Sequence, residues 1–388
     1  MKIAVIGSGN AGVISSIMSM YTNREYKQAD PKITVFHDPK ISTEIVGQGT
    51  TLDVSYAIHT ILKVDERFDN PVGITPKVGF FYKNWARGNK ELLYKLGQNV
   101  SYHFDPKLLR NHFLKSNLFE FVEGHFTPKD ISDDYDIIFD CRGKSCNNWD
   151  DYRTLENPVN CCLLGRSTGS RAHEVWTENI ATPDGWCFKI PLSDGHSFGY
   201  VFNDEITSPE EAEKNFKEMF GVDVIHKVSF KNYLSKSLFG DTKKTILNGN
   251  RLFFLEPLES TATPMYGLVT KTVVGYCLEG IEYGIEDACL EKIGHIIEDI
   301  LMRRIEEVHE WIMWHYFYGS DYDTKFWRYA KDMSRSFNYS SVFKARIKYI
   351  IKTLTHDTHL YQAEFPEDLV GEFTLNDYAV WTFNNMRL

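Results

Sequence analysis

A glycine pattern next to the N-terminus constrains the fold of this chain more than any other feature. Residues 2–6 form a short apolar run, and the pattern Gly-x-Gly-x-x-Gly follows directly at residues 7–12. A stretch with helical character covers residues 13–20, and a second apolar run covers residues 33–36. This order of strand, glycine turn, helix and strand is typical of the opening of a dinucleotide-binding fold.

Each glycine of this fingerprint has a separate physical role. Gly7 allows a tight turn, Gly9 lets the backbone approach a pyrophosphate, and Gly12 permits close packing of the helix against the strand. The N-terminus of the helix then offers free N–H groups and the positive end of its dipole to phosphates. We therefore predict nucleotide binding here, although the motif alone does not separate FAD from NAD.

The acidic residue that usually binds the ribose should end the second strand. His37 occupies that position, and Asp38 follows it. Two readings stay open at this point. Either Asp38 binds the ribose from a shifted register, or the ribose contact is weakened.

The rest of the chain continues an α/β pattern. Residues 135–140 read as another strand, and Ser208 with Pro209 predicts a helix start with an N-cap serine and a proline in the first turn. Apolar residues at helical spacing predict one long helix, or two joined helices, from about 286 to 318. A further helix is predicted for roughly 340–354. We expect an α/β core with a helical C-terminal part folded back on it.

Charge and composition exclude several classes of protein. The chain has 43 basic and 53 acidic residues, a net charge of −10, which argues against nucleic acid or an anionic membrane as the main partner. No apolar run reaches the roughly 18 residues that a membrane helix needs. The opening Met-Lys-Ile-Ala-Val-Ile reads as a buried strand, since no cleavage pattern follows it. Aromatic residues make up 14% of the chain, which fits either a filled core or ring packing against planar ligands.

The cysteine and histidine spacings do not indicate a metal centre. Seven cysteines occur without a Cys-x-x-Cys pair, so neither a zinc site nor a disulfide framework is predicted, and a reducing cytoplasm is the expected compartment. The pair His356 and His359 has the spacing of two ligands on one helical face. Such an isolated pair is far more often plain surface, and we expect no metal.

Several motifs beyond the fingerprint carry a resemblance to a known family. Gly185-Trp186-Cys187-Phe188-Lys189-Ile190-Pro191-Leu192, with Phe198-Gly199-Tyr200-Val201-Phe202 after it, resembles the Trp-x-Trp-x-Ile-Pro region of flavin-dependent tryptophan halogenases. Further matches lie in the same order as in that family: Val46-Gly47-Gln48-Gly49-Thr50-Thr51, Pro76-Lys77-Val78-Gly79-Phe80 through Asn84-Trp85, Tyr102-His103-Phe104-Asp105, Asp140-Cys141-Arg142-Gly143, Leu255-Glu256-Pro257-Leu258-Glu259-Ser260-Thr261, and Trp314-His315-Tyr316 followed by Phe326-Trp327-Arg328. The resemblance covers nearly the whole chain.

The resemblance implies a fold, a reaction and partners. The fold would be an FAD-binding Rossmann-like core of the glutathione-reductase type, with a substrate subdomain and a helical C-terminal part. We expect the discontinuous FAD-binding core at 1–150 and 240–270, the substrate sheet at 151–239, and the helical part closing the substrate site at 271–388. Such enzymes use reduced FAD, oxygen and a halide (chloride, bromide or iodide) to make hypohalous acid, which crosses an internal tunnel and halogenates an aromatic ring. No second dinucleotide fingerprint is evident, so a separate NAD(P)H-dependent flavin reductase is expected.

Two residues match the family's catalytic pair. Lys77 matches the catalytic lysine, which either donates a hydrogen bond to hypohalous acid as an ammonium or forms a haloamine as a neutral amine. Without the resemblance, Lys77 reads as a solvated surface lysine. Glu259 matches the second essential residue and would stabilise the cationic ring intermediate or accept its proton. Without the resemblance, Glu259 and Ser260 read as helix-capping chemistry. Ser260 is included in the expected catalytic group.

The same resemblance assigns the remaining candidate residues. Backbone N–H groups at Thr261 and Ala262 would bind the halide, Ala262 replacing the glycine that is common there. The tunnel and substrate wall are expected at Trp186, Phe188, Ile190 and Pro191, where Phe188 replaces the second tryptophan of the signature. The expected flavin contacts are Gly7, Gly9, Ala11, Gly12, His37, Asp38, Gly47, Gln48, Thr50, Gly249 and Asn250. Gln48 and Asn250 stand where the family has Glu and Asp, so two charges are lost.

Length gives a further clue about the substrate. The chain is shorter than typical tryptophan halogenases, mainly between Trp85 and Tyr102, where those enzymes carry residues that sandwich the indole. A more open pocket is expected, and a free or bulkier electron-rich aromatic fits it better than free tryptophan. An aromatic flavin monooxygenase and a catalytically inactive FAD-binding protein are the alternatives, and a homo-oligomeric state is left open.

Overall fold

The structure is a computed structural model of the 388-residue chain. The structure describes all residues except 66–68, 86–90, 97–100, 132–133, 145–147, 170–173, 243, 283–288 and 348–388. The expected surface pair His356 and His359 therefore lies outside the described residues, as does the second half of the helix predicted at 340–354. Residues 341–347 of that stretch are helical.

The strands and helices follow in chain order. The strands are β1 (Lys2–Ile6), β2 (Lys32–His37), β3 (Gln48–Gly49), β4 (Thr75–Lys77), β5 (Gly79–Lys83), β6 (Glu91–Lys95), β7 (Ser101–Phe104), β8 (Glu120–Glu123), β9 (Ile137–Asp140), β10 (Tyr152–Leu155), β11 (Cys161–Thr168), β12 (Trp176–Thr182), β13 (Gly185–Leu192), β14 (Gly195–Phe202), β15 (Val224–Ser229), β16 (Asn232–Ser235), β17 (Thr245–Leu247) and β18 (Phe253–Phe254). The helices are α1 (Asn10–Glu25), α2 (Leu52–Leu62), α3 (Pro106–Phe113), α4 (Pro128–Ile131), α5 (Pro209–Phe220), α6 (Ala262–Glu282), α7 (Cys289–Tyr318) and α8 (Lys325–Ser336).

A parallel sheet carries the glycine fingerprint. Its strand order is β17-β9-β1-β2-β8, and each neighbouring pair is parallel. The central strand β1 reads Lys-Ile-Ala-Val-Ile and buries its last four side chains, which suits a strand covered on both faces. Because β1 ends at the fingerprint turn, helix α1 starts at the carboxyl edge of the sheet. Ligands of open α/β sheets bind at this edge.

A second, larger sheet follows in the middle of the chain. Its order is β15-β11-β14-β13-β12-β5-β6, and it is antiparallel except for the parallel pair of β12 with β5. Strand β14 buries every residue, and β13 buries all but Lys189. The signature residues of β13 therefore lie in the interior of the protein.

A small sheet brings separate motifs together. It has the order β3-β7-β4, in which Gln48 pairs with Phe104 and Lys77 pairs with Ser101. A further three-stranded sheet has the order β10-β16-β18. In the small sheet, strand β7 lies between β3, which follows Gly47, and β4, which ends at Lys77, so both segments belong to one sheet.

The helices after β18 pack on these sheets. Helix α6 crosses α1 and α2, while α7 contributes the buried side chains of Trp311, His315 and Tyr316. From α8, the Trp327 ring packs edge-to-face on Trp85 at 5.2 Å, and its Nε1 donates to the carbonyl of Thr182 at 2.7 Å. None of the described helices is long and apolar enough to cross a membrane.

The α/β fold with a helical C-terminal part is confirmed. The predicted opening of strand, helix and strand corresponds to β1, α1 and β2, and the strand at 135–140 corresponds to β9. Helix α5 begins after Ser208, whose Oγ accepts from the N–H of Glu211 at 3.2 Å. The long amphipathic stretch is helix α7. The division into segments 1–150 with 240–270, 151–239 and 271–388 stays a prediction.

Candidate functional site

The fingerprint turn has the geometry that its glycines require. Gly7 has a φ of +111°, and a Cβ there would lie 2.7 Å from the carbonyl oxygen of Cys141. A Cβ on Gly12 would lie 2.0 Å from the carbonyl oxygen of Gly7. Both positions thus admit only glycine. At Gly9 a Cβ would meet only the Glu44 side chain, at 3.9 Å, so the backbone is open to a ligand on that side.

A cavity of about 250 Å³ opens in front of this turn. The lining residues come from the fingerprint, from the end of β2, and from the segments after β8 and β9: among them Gly7, Gly9, Asn10, Ala11, Asp38, Arg110, Arg142 and Asn250. Asp38 lines the cavity. His37 is not among the lining residues; its buried ring packs edge-to-face against Phe121 at 6.3 Å. The structure therefore favours Asp38 over His37 as the polar group available to a ribose.

The chemistry of this cavity fits the nucleotide part of FAD. The amide groups at the start of α1 and the guanidinium of Arg110 supply positive potential for phosphates. Asn10 is buried, and its Oδ1 has no hydrogen-bond partner among the described residues. Gly249 has a φ of +64° and lies so close that a Cβ would be 2.3 Å from the Cβ of Ala11. Asn250 is held by Tyr266, whose hydroxyl donates to its Oδ1 at 3.2 Å.

The loop at 47–50 connects this cavity to the start of α6. Gly47 donates its backbone N–H to Ser197 Oγ at 2.9 Å, and Thr50 donates its N–H to the carbonyl of Tyr102 at 2.9 Å. The amide Nδ2 of Asn10 donates to Thr263 Oγ1 at 3.0 Å, and that hydroxyl donates to Gln48 Oε1 at 3.4 Å. Gln48 thus acts as a neutral acceptor in a chain of hydrogen bonds.

The Lys77 side chain is buried in the protein interior. It is only 1% exposed, and its Nζ lies 4.2 Å from the centre of the Phe80 ring. No hydrogen bond or ion pair joins this amine to another residue in the part of the chain that the structure describes. Burial lowers the pKa of Lys77 to about 7, partly offset by the charge of Glu259. The reading of Lys77 as a solvated surface lysine does not fit this position.

Gly49 and Ser260 lie against the same amine. A Cβ on Gly49 would be 2.8 Å from Lys77 Nζ and 3.2 Å from Ser260 Oγ. His103, on the strand paired with β4, is also buried, and burial together with the charge of Lys77 lowers the pKa of its imidazole well below its usual range. A neutral His103 leaves Lys77 as the positive charge on this part of the small sheet.

Glu259 occupies a strained backbone position. Its φ is +66° and that of Ser260 is +52°, a left-handed pair in a short 3-10 turn at Leu258–Ser260. Non-glycine residues rarely adopt this region, and it costs about 1–3 kcal/mol each. The turn directs the Glu259 carboxylate inward. There Oε1 accepts a hydrogen bond from the Tyr82 hydroxyl and lies 2.8 Å from His315 Nε2.

The helix α6 starts immediately after this turn. Thr261 is buried, and Ala262 is the first residue of the helix. A helix leaves its first N–H groups without intrahelical acceptors, and its dipole favours an anion there. The predicted halide position therefore has suitable chemistry.

A second buried carboxylate lies three residues before Glu259. Both oxygens of Glu256 accept from the Tyr316 hydroxyl at 2.9 Å, and Trp186 Nε1 donates to that hydroxyl at 3.0 Å. Burial raises the pKa of Glu256 to about 8, against the lowering effect of the hydrogen bonds from Tyr316 and Trp186. Adjacent residues of α7 thus hold the two glutamates of one short motif, Tyr316 for Glu256 and His315 for Glu259.

The predicted tunnel residues lie together on strand β13. Trp186 is fully buried and packs on Phe188 at 6.0 Å and on Trp85 at 6.3 Å. Phe188 lies over Gly199, where a Cβ would be 2.0 Å from the ring. Ile190 is buried, and the carbonyl of Pro191 accepts from Thr75 Oγ1 at 2.8 Å.

The structure brings together residues from four distant parts of the sequence: the loop at 47–50, the segment from Lys77 to Tyr82, the segment from Glu256 to Ser260, and His315. Lys77, Glu259 and Ser260 meet at the small sheet, which also carries the loop from the fingerprint side. Sequence reasoning missed Glu256, Tyr82 and His315 as members of this site. All three lie within the quoted segments, so the signal was present, but no segment says which residues they contact.

The strand order, the glycine turn and the cavity define a protein with an FAD-binding Rossmann-like fold. The sequence profile of the tryptophan halogenase family matches residues 2–125 and 158–364. The chain belongs to this family.

Curated relatives support the assignment at low identity. The tryptophan 7-halogenase KtzQ of Kutzneria sp. (strain 744) is 24% identical over 219 residues, which are 55% of this chain and 38% of that protein. The tryptophan 6-halogenase ThaL of Streptomyces albogriseolus is 23% identical over 306 residues, 70% of this chain and 55% of that protein. These alignments span less than two thirds of the relatives' own length.

Solved structures share the fold over nearly the full chain. The tryptophan 6-halogenase SttH from Streptomyces toxytricini has a TM-score of 0.76 at 16% identity and matches 99% of this chain and 90% of its own. BrvH, a flavin-dependent halogenase from Brevundimonas sp. BAL3, has a TM-score of 0.69 at 16% identity and matches 98% of this chain and 89% of its own. At this identity the likeness establishes the fold alone.

Proposed function

We propose that this protein is a flavin-dependent halogenase that uses FADH2, O2 and a halide to form hypohalous acid and halogenate an electron-rich aromatic ring. One observation carries the proposal. A lysine amine is fully buried beside Ser260 and Glu259, at the end of a loop that starts in the flavin-type cavity. A structural role alone gives no reason to bury an amine without a hydrogen-bonding partner among the described residues.

The flavin would be held by the fingerprint side of the molecule. Gly7, Gly9 and the start of α1 would receive its pyrophosphate, while Asp38 and Asn250 would supply polar contacts. Gly47, Gln48 and Thr50 would bind from the opposite loop, and Ala11, Gly12 and Gly249 would keep the backbone close. When bound, reduced FAD supplies the redox chemistry with O2 and halide.

Lys77 is proposed to hold the oxidant. With a pKa of about 7, both the ammonium and the neutral amine are present near neutral pH. The ammonium donates a hydrogen bond to the oxygen of hypohalous acid and polarises it, and the neutral amine can be halogenated to a haloamine. Both routes stay open, and both need the same buried position.

Glu259 is proposed to act on the aromatic ring. Its carboxylate stabilises the cationic ring that forms when the halogen adds, and then accepts the ring proton. Ser260 lies next to the amine of Lys77 and would help to orient the oxidant. The N–H groups of Thr261 and Ala262 would receive the halide.

The ring wall is proposed to separate substrate from flavin. Trp186, Phe188, Ile190 and Pro191 would line the passage of the oxidant and keep organic substrate away from the cofactor. The substrate is proposed to be a small or bulky electron-rich aromatic. A separate NAD(P)H-dependent reductase would supply reduced FAD, and the cytoplasm is the proposed location.

The test is turnover with chemically reduced FAD, O2 and chloride, bromide or iodide on a panel of indoles, phenols and pyrroles. Mass spectrometry should show a halogenated product, and a methionine scavenger in the buffer separates enclosed transfer from free hypohalous acid. Lys77→Met keeps the side-chain length and should lower turnover by about 10²–10⁴-fold. Lys83→Met, at an ion-paired lysine of β5, is the matched control and should keep turnover.

Three results would contradict the proposal. Product that persists in Lys77→Met would mean that the lysine is misassigned. Hydroxylated product without halogenated product would indicate a flavin monooxygenase. FAD binding without consumption of reduced flavin on any substrate would indicate a catalytically inactive FAD-binding protein.

A further inference from the structure

The two oxygens of the Glu259 carboxylate have different surroundings. Oε1 accepts the Tyr82 hydroxyl and lies 2.8 Å from His315 Nε2. No described residue donates a hydrogen bond to Oε2. Only 2% of the Glu259 side chain is exposed, so both carboxylate oxygens are enclosed by the protein.

The His315 ring has an unusual set of neighbours. Its Nδ1 lies 2.8 Å from the carbonyl oxygen of Trp311, one turn earlier on the same helix. A carbonyl oxygen only accepts, so Nδ1 must carry a proton. Nε2 then faces Oε1 of Glu259, and a hydrogen bond at 2.8 Å needs one proton there as well.

The contacts of His315 with Trp311 and Glu259 limit where the protons of this pair can lie. With Nδ1 protonated and one proton between Nε2 and Oε1, the pair is either imidazolium with carboxylate or imidazole with carboxylic acid. Both forms have a net charge of zero, which lowers the cost of burying the pair. The Tyr82 hydroxyl also donates to Oε1, and a second donor on the same oxygen favours the carboxylate form.

The surrounding rings hold His315 in this orientation. Its side chain is 0% exposed, and the Trp311 ring lies edge-on at 4.7 Å. Trp85 lies edge-on at 6.4 Å and the Tyr82 ring at 5.8 Å. A ring packed on several sides cannot rotate without displacing these neighbours, so the imidazole acts as a rigid donor.

We propose that His315 is a positioning residue that, with Tyr82, anchors Oε1 of Glu259 through a shared proton and leaves Oε2 as the oxygen that serves the aromatic substrate. This inference deepens the proposed function and rests on it. In the ring step, the proton leaves the ring carbon for Oε2 and its bonding electrons restore the aromatic system. The proton between Nε2 and Oε1 stays in place throughout.

Substitutions at position 315 separate anchoring from simple packing. His315→Phe keeps the ring shape and removes both hydrogen bonds, so kcat should fall by about 10²-fold with KM within about threefold, since a carboxylate displaced by about 1 Å loses this much. His315→Gln places a neutral N–H donor near the position of Nε2 and should restore kcat to within about fivefold of the parent. His309→Phe is the matched control, because His309 is also buried on α7 and, among the described residues, hydrogen-bonds a backbone oxygen, that of Glu156.

The assay uses reduced FAD, bromide and indole as the probe substrate. Equal kcat in His315→Phe and the parent would overturn the inference, as would a change confined to KM, or a Gln variant no better than Phe. If the parent halogenates no member of the panel with any of the three halides, the proposed function fails and a second readout decides the inference. NMR of protein with ¹⁵N-labelled histidine, assigned by comparison with His315→Gln, should show a proton on each ring nitrogen of His315. A proton on Nδ1 alone would mean that Glu259 is the carboxylic acid, which cannot accept the ring proton, and would overturn the inference.

Discussion

Glu256→Gln tests whether a buried acid is neutral in this fold. The side chain of Glu256 is inaccessible to solvent and accepts the Tyr316 hydroxyl with both oxygens at 2.9 Å. Burial raises its pKa from 4.5 to about 8. Glutamine keeps the shape and the acceptor but cannot ionise. The substitution therefore removes the titration and leaves the packing.

The sign and size of the effect follow from linkage. A pKa that is higher in the folded than in the unfolded state stabilises the fold below the unfolded value, and this stability is lost as the pH rises through the folded value. Each pH unit between the two values changes the free energy of unfolding by about 1.4 kcal/mol, so the parent should lose about 4 kcal/mol between pH 5 and 8 through Glu256. Glu256→Gln should match the parent near pH 5 and exceed it by about 4 kcal/mol at pH 8.

The assay is urea unfolding followed by tryptophan fluorescence at pH 5, 6, 7 and 8. The measured quantity is the difference between variant and parent, because Lys77, with a lowered pKa, contributes the opposite slope above neutrality and cancels in the difference. A difference that stays constant across this range would refute the reasoning, since it would mean that Glu256 is ionised throughout. A variant that is less stable at pH 8 would refute the sign.

Three further predictions concern the fingerprint, the ring wall and the lysine. Gly12→Ala places a Cβ 2.0 Å from a carbonyl oxygen and should abolish FAD binding in a fluorescence titration; unchanged affinity would contradict it. Gly199→Ala places a methyl against the Phe188 ring and should lower the free energy of unfolding by about 2 kcal/mol, measured with urea. The double variant with Phe188→Leu should recover part of this loss. If the losses of the two single variants simply add, the clash is not the cause. NMR of ¹³C-labelled lysine should show Lys77 half protonated near pH 7, and Glu259→Gln should lower the pKa of Lys77 further. An unchanged Lys77 pKa in that variant would show that the charge of Glu259 does not act on the amine.

Local patterns predicted the parts of the fold that depend on local chemistry. The fingerprint at 7–12 specifies its own turn, because two of its glycines have neighbours that admit no side chain. Ser208 likewise specifies the start of α5, since its hydroxyl accepts from the N–H of Glu211, three residues further on. The glycine turn and the helix start could both be predicted from a few consecutive residues.

The pairing of distant segments could not be read in this way. Strand β5 pairs in parallel with β12, and the contact of Glu259 with His315 joins residues 56 positions apart. Nothing in the Glu-Pro-Leu-Glu motif predicts that Glu256 contacts Tyr316 while Glu259 contacts His315. The burial of Lys77 could not be predicted from the sequence either. Lysine is usually exposed, and only the structure shows that the small sheet encloses this side chain.

The left-handed turn at Glu259 and Ser260 has a consequence for protein engineering. Glycine and asparagine adopt such a backbone with less strain than glutamate or serine. Replacing Ser260 by either would relax the chain and leave the buried pair of Glu259 and His315 intact, so a thermal-stability screen of random variants should enrich replacements that remove a hydroxyl of the proposed catalytic group. A library selected only for thermal stability would therefore accumulate variants at this turn that lack the proposed activity.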